Sequence, residues 1–260
     1  MNKKNKIKVF IEVLYADLSR AFHWKTILVC VVGCFFCLLL NNEEDIFDDW
    51  QGVTYYFENS LNWNYACMMY IFAAIPYAGS YLVDVKNHYI HIFRIRSGNQ
   101  FYLISKVVSA FLSGFAVMTL GCIVYILFLS INLPMYTGEF NDQTYQILLK
   151  DGNVLGYFIV VIFMQALAGG ILSSIAFCVS TFVSNTYSVW CFPFLFYYAW
   201  MRLDRVFKFP DYLSIGSIII FPVNGNVRKS VIYATFFLGL LLAGFVCVCF
   251  PRMKRRMLNE

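Results

Sequence analysis

The sequence predicts an all-α integral membrane protein with six transmembrane helices, an amphipathic N-terminal helix at the membrane interface and a re-entrant outer hairpin between helices five and six. Three observations carry this expectation. Apolar and aromatic residues make up 60% of the 260 residues and charged ones 13%, against about 45–50% and about 25% in soluble domains, and mean hydropathy is +0.64. The apolar residues gather into runs close to the roughly 20 residues that cross a hydrocarbon core. The charges lie between those runs and separate by sign. Such a composition excludes an ordinary water-soluble enzyme and leaves no room for a soluble catalytic domain.

Residues 1–25 form the first element. Ile7, Phe10, Ile11, Val13, Leu14, Leu18 and Phe22 recur every three or four residues, the period of an amphipathic helix. Lys3, Lys4, Lys6 and Lys8 precede or open this stretch, Arg20 and Lys25 close it, and Trp24 stands where interfacial aromatics gather. Glu12, Asp17 and Arg20 interrupt it, so it lacks the apolar heart of a cleavable signal peptide. The expected spans are 24–40, 61–83 with Pro76 inside, 103–133, 154–183, 187–201 with Pro193 inside, and 231–250. The stretch 212–223 has only about a dozen apolar residues. Gly216 and Pro222 interrupt it, so it is expected to be a re-entrant segment within 204–230. The layout is therefore an interface helix (1–25), a membrane domain (26–250) and a basic tail (251–260).

Charge orients the bundle, because Lys and Arg near span ends stay cytoplasmic. The segments 1–25, 84–106, 184–186 and 251–260 hold 14 of the 20 basic residues and four of the 15 acidic ones. Glu43, Glu44, Asp45, Asp48, Asp49 and Glu58 fall in the first outer loop, which has no Lys or Arg. Both termini are expected in the cytoplasm, beneath a plasma membrane of bacterial type. Arg205, Lys208, Arg228 and Lys229 run against this trend on the outer side, which points to a partly embedded cap there.

Several chemistries find no support. Beyond Lys106 at the start of span three, spans three, four and six contain no Asp, Glu, Lys, Arg or His, and Lys25, Asp84 and Arg202 stand only at the margins of spans one, two and five. A charge at the bilayer centre costs about 2.5–3.5 kcal/mol on insertion scales and usually marks ion coupling, so a proton- or sodium-coupled carrier is disfavoured. His23, His88 and His91 lie at the inner surface and no HExxH occurs, which removes the common hydrolytic sets. Cys30, Cys34 and Cys37 share one helical face, but within an apolar run cysteine acts as a small hydrophobe. Cys67, Cys122, Cys178, Cys191, Cys247 and Cys249 are likewise expected to be buried in spans, and no metal site is expected. No GxxxxGK[ST] is present, and neither enzymatic activity nor a nucleic-acid partner is expected.

The loop 84–106 is the most specific segment. Tyr89, Ile90, Ile92, Phe93 and Ile95 alternate there with Lys86, Arg94 and Arg96 before a break at Ser97-Gly98. A short helix with apolar and basic faces suits a groove on a soluble partner; an interfacial cover over helix ends is the equal alternative. Asp84, the stretch 89–96, Ser97-Gly98-Asn99-Gln100 and Ser105-Lys106 resemble the loop between spans two and three in permease subunits of ABC-2-type transporters. The layout of nearly the whole chain is similar to that family. Two features depart from it: Arg96-Ser97-Gly98 replaces the usual proline-containing turn, and Asp84 stands alone where a Glu-rich cluster is common.

The resemblance implies a permease subunit of an ATP-driven exporter. Its partners would be two cytoplasmic ABC ATPase subunits, which bind ATP and Mg, a second copy or related permease, and membrane lipid; the chain itself would hold no cofactor. Tyr89, Ile92, Phe93, Arg94 and Arg96 would dock the ATPase. In span five, Tyr187, Pro193, Tyr197 and Tyr198 are candidates for the pathway or its gate. Uncharged spans and 19% aromatic residues point to a hydrophobic or amphipathic cargo such as a peptide, drug or lipid-like molecule. Gly169, Gly170, Ser173 and Ser174 would let helices approach closely in span four. The rival reading is a secondary carrier or channel acting without an ATPase, with Pro76 and Pro193 at equivalent places in a three-plus-three repeat.

Overall fold

The N-terminal periodicity folds as α1 (Lys3–Ala21), which meets α2 (Trp24–Leu39) at a 55° bend. The computed structural model describes residues 3–41, 52–62, 64–87, 89, 99–138, 145, 147–150, 152–210, 212–220 and 226–259. The further helices are α3 (Val53–Asn62), a 3-10 turn (Asn64–Met68), α4 (Met69–Ala74), α5 (Ser80–Lys86), α6 (Asn99–Leu129), α7 (Ile147–Lys150), α8 (Val154–Ser180), α9 (Thr186–Phe207), α10 (Ile215–Ile220) and α11 (Val227–Asn259). No strand occurs among the described residues.

Three stretches are long and apolar enough to cross a membrane: Phe101–Leu129, Val154–Ser180 and Val227–Met253. The bent pair α1–α2 makes a fourth if it is one broken span. The chain is thus an all-helical, multi-pass membrane protein, in which helices satisfy their own backbone groups where water cannot.

Two of the expected spans take a different form. The run 61–83 is not one helix but a 3-10 turn, α4, a turn at 75–79 and α5. Pro76 has no N–H, and its ring clashes with the carbonyl four residues back, so the helix stops before it and restarts at Ser80. α9 does keep Pro193 inside and extends beyond the expected 187–201. It begins where the Asn185 side chain accepts from the Tyr187 N–H at 3.0 Å and ends at Lys208, in the left-handed region at φ 49°. Its Tyr, Trp, Arg and Asp residues keep it less apolar than α6, α8 and α11.

α8 is the hub. It is apolar all round, the mark of an enclosed helix, and 78% of its most apolar stretch is buried, against 50% for α6 and 11% for α11. α6 crosses it antiparallel: Ser174 Oγ donates to the Val107 carbonyl at 3.2 Å, and Phe111 lies on Gly170. A Cβ at Gly114 would stand 2.7 Å from Ser173 Cβ and 2.9 Å from the Gly169 carbonyl. The small residues of span four therefore do bring two helices together, where dispersion replaces the hydrophobic drive that lipid removes. α2 lies on α6 with Cys34 against Gly121, and the Phe72 ring fills the space over Gly33. Cys30, Cys34 and Cys37 line the buried face of α2, whereas Cys191 and Cys247, expected to be buried, are exposed on the outward faces of α9 and α11.

The helix ends fix the polarity of the bundle. Phe10 of α1 packs on Phe101 of α6 at 5.5 Å, the start of α6 lies against the end of α8, and Cys249 of α11 sits 3.4 Å from Thr181 just after α8. α1 and the C-terminal part of α11 therefore share one end of the bundle. At the opposite end, Tyr233 OH donates to the Tyr212 carbonyl at 2.6 Å beside α10.

The α6–α8 crossing makes a direct expectation. Gly114→Val should overpack it by about 1–3 kcal/mol, lowering the Tm in detergent, while Gly239→Ala and Gly244→Ala on α11, where nothing lies within 4 Å, should leave the Tm unchanged; circular dichroism melts of the three variants decide.

Candidate functional site

On α1 the buried seam is Val13, Asp17 and Ala21, flanked by half-buried Phe10, Leu14 and Leu18. Ile11 and Phe22, counted on the apolar face from the sequence, are 58% and 44% exposed. The stripe that packs against α6 is thus rotated from the one apolar periodicity alone gives, and it carries a carboxylate into the protein.

That carboxylate meets a lysine. Lys106, in the second turn of α6, has no exposed side-chain surface. Its Nζ lies 3.0 Å from Asp17 Oδ1, 2.7 Å from Asp84 Oδ2 and 2.9 Å from Tyr77 OH, so all three ammonium donors have partners. Tyr77 OH donates in turn to Asp17 Oδ1 at 2.5 Å, and Ser105 Oγ donates to Asp17 Oδ2 at 2.5 Å. Asp84 receives Tyr102 OH on Oδ2 at 2.9 Å and Arg20 Nη1 on Oδ1 at 3.2 Å. The rings of Tyr77 and Tyr102 also flank the ammonium, with centroids 5.0 and 5.4 Å away.

Two carboxylates, one ammonium and one guanidinium thus balance in charge, and every carboxylate oxygen is hydrogen-bonded. Burying such groups is unfavourable unless they pair and bond fully, a condition met only when three pieces of chain arrive together. α1 supplies Asp17 and Arg20; the Pro76 break and α5 supply Tyr77 and Asp84; α6 supplies Tyr102, Ser105 and Lys106. The break matters because it turns Tyr77 out of the run of α4 toward Asp17. The cluster joins the end of α5 to the start of α6, the two helices that flank the segment 87–98. Asp84, expected at the margin of span two, and Lys106, expected in the inner segment 84–106, are buried at 1% and 0% exposure.

The residues singled out from the sequence lie as follows. Tyr89 is exposed, with the Arg20 guanidinium 5.7 Å from its ring centroid; Ile92, Phe93, Arg94 and Arg96 lie outside the described residues. Tyr187 is exposed and meets Trp190 edge-on at 5.6 Å. Pro193 and Tyr197 are buried in α9, and the Tyr197 ring packs 4.9 Å from that of Tyr70, whose OH bonds Gln165 Oε1 at 3.3 Å. Tyr198 stacks on Phe194 and accepts from Arg202 Nε at 2.9 Å. Among the described residues no three His, Cys, Asp or Glu side chains converge to hold a metal. Sequence reasoning missed Asp17 and Tyr77 as partners. The readable signal for Asp17 was a carboxylate at a seam position, four residues from both Val13 and Ala21.

The cluster yields a stability prediction. Lys106→Met leaves buried Asp17 without a cation and Asp84 with Arg20 alone, and should cost about 3–5 kcal/mol, read as a large drop in Tm or folded yield; adding Asp17→Asn and Asp84→Asn should restore most of it. A single variant as stable as the parent would mean that the carboxylates do not depend on Lys106.

No family model, characterised protein or solved structure matches the chain.

Proposed function

We propose that the chain is the permease subunit of an ATP-driven exporter of the ABC-2 type. In this reading it has six spans, an interfacial α1, a re-entrant segment around α10 and both termini in the cytoplasm. The observation that carries the reading is the Asp17–Lys106–Asp84 cluster, which ties α1, α5 and α6 together at the base of the loop 84–106. A permease moved by a separate ATPase needs a lever on its cytoplasmic side and a stiff joint between that lever and the spans. Residues 84–106 supply the first and the cluster supplies the second. Arg20 joins the two, bonding Asp84 on one side and facing the Tyr89 ring on the other.

The energy would come from two ABC ATPase subunits binding ATP and Mg, docked on Tyr89, Ile92, Phe93, Arg94 and Arg96. A second copy or a related permease would complete the pathway. Closure of the ATPases would push on the loop and on α1, switching the spans between arrangements open to either side. The uncharged interiors of α8 and of α6 beyond Lys106 favour a hydrophobic or amphipathic cargo, with Tyr187, Pro193, Tyr197 and Tyr198 on α9 as candidates for its gate.

One observation favours a second reading. A buried ionisable group at a membrane helix is by default a candidate for ion coupling, and the cluster holds two carboxylates, so a secondary carrier working without an ATPase is the alternative.

The two readings separate experimentally. In cells carrying the partner ATPase, Phe93→Ala with Arg94→Ala should reduce its co-purification and its cargo-stimulated ATP hydrolysis several-fold; unchanged values for both would sink the exporter reading. Cargo flux in liposomes containing this chain alone, abolished by Asp17→Asn, would establish the carrier instead.

A further inference from the structure

A groove of about 240 Å³ runs beside the ionic cluster, between the α4–α5 break and the first turn of α9. Its lining includes the apolar side chains of Ile75, Pro76 and Val83, the last 49% exposed, and the donor-bearing side chains of Arg20, Ser80 and Trp190. These three present donors in excess. Arg20 bonds Asp84 through Nη1, and its side chain is 43% exposed, leaving the rest of the guanidinium open to another acceptor. Ser80 Oγ and Trp190 Nε1 are buried without a hydrogen-bond partner among the described residues, and an unmade bond of that kind costs about 1–3 kcal/mol. Asp84 also lines the groove, but both its oxygens are engaged, by Arg20 on one and by Lys106 and Tyr102 on the other.

An occupant that fits must bring acceptor oxygens and negative charge together with an apolar chain. The groove lies at the end of the bundle that carries Arg20, Trp24, Lys25 and Lys86, where interfacial aromatics and basic residues collect. We propose that it binds the phosphate head group of an anionic phospholipid. The phosphate would take the free guanidinium edge of Arg20 and bonds from Ser80 and Trp190, with an acyl chain along Ile75, Pro76 and Val83. A guanidinium beside neutral donors is a strong phosphate recognition set. The inference needs only the membrane location of the chain, so it stands or falls separately from the ATPase-driven reading.

The test is native mass spectrometry of the purified full chain, delipidated and then supplied with phosphatidylglycerol, phosphatidylcholine or inorganic phosphate. Phosphatidylglycerol should be retained preferentially. Trp190→Phe keeps the ring and removes one donor, and should weaken that retention about fivefold; adding Ser80→Ala should weaken it further, with phosphatidylcholine retention unchanged. Equal retention of the two lipids by the parent chain overturns the proposal, as does unchanged phosphatidylglycerol retention in Trp190→Phe. Displacement of the lipid by inorganic phosphate at equal concentration would make the groove a free-phosphate site and overturn it too. Should the double variant not fold, Trp190→Phe alone decides.

Discussion

The structure depends on one shared cation. Lys106 is held between Asp17 and Asp84, with Tyr77 as its third partner, out of reach of water. Each of these groups alone would be costly to bury, by several kcal/mol for an ion. Together they are satisfied, and the geometry that satisfies them admits little variation, because every ammonium donor and every carboxylate oxygen is already assigned. The cluster is therefore less a source of net stability than a specification. It fixes how far α1 is rotated, where α5 ends relative to α6, and how the broken second run is aimed.

Apolar packing in the same molecule does a complementary job. α8 is enclosed by α6, α4, α9 and α11, and its contact with α6 is set by Gly114, Gly169, Gly170 and Ser173, where backbones come close enough that a single Cβ would collide. In a bilayer the hydrophobic effect does not press helices together, so close approach and polar bonds must do so. Close approach fixes the distance between α6 and α8 but says nothing about α1, whose outward face keeps Ile11, Tyr15 and Phe22 exposed. The position of α1 follows from the ionic cluster and from the Val13–Ala21 seam around it.

This division explains what the sequence disclosed. The apolar runs at 24–40 and 154–183 reappear nearly unchanged as the helices Trp24–Leu39 and Val154–Ser180, of which the second is long and apolar enough to cross a membrane by itself, because a helix satisfies its own backbone groups where water cannot. Pro76 was visible, but its effect depends on whether neighbours rescue the freed backbone groups: the helix breaks at Pro76 and persists through Pro193. The buried face of α1 was misjudged because periodicity counts only apolar positions, and the seam there runs through Asp17. Asp84 and Lys106 stood out through a family resemblance, yet their pairing with Asp17 spans distant parts of the chain and no local pattern encodes it. The residues from Ile92 to Arg96, proposed above to dock an ATPase, lie outside the described residues.

The scarcity of charge within the spans takes on a different meaning once Asp84 and Lys106 are seen in place. Along the sequence, Asp84 stands at the margin of span two and Lys106 closes the inner segment 84–106. In three dimensions they are buried at 1% and 0% exposure, and α1 closes over them with Asp17, itself 0% exposed. A joint made only of dispersion contacts yields gradually under load. One made of a lysine between two carboxylates holds its register until a bond is exchanged, and Arg20 on Asp84 provides a second cation that can keep that carboxylate paired while Lys106 moves toward Asp17. A stiff joint with a defined alternative pairing is what a two-state lever requires. On the exporter reading proposed above, the cluster would be the switching element, and the span interiors would be left free for an uncharged path.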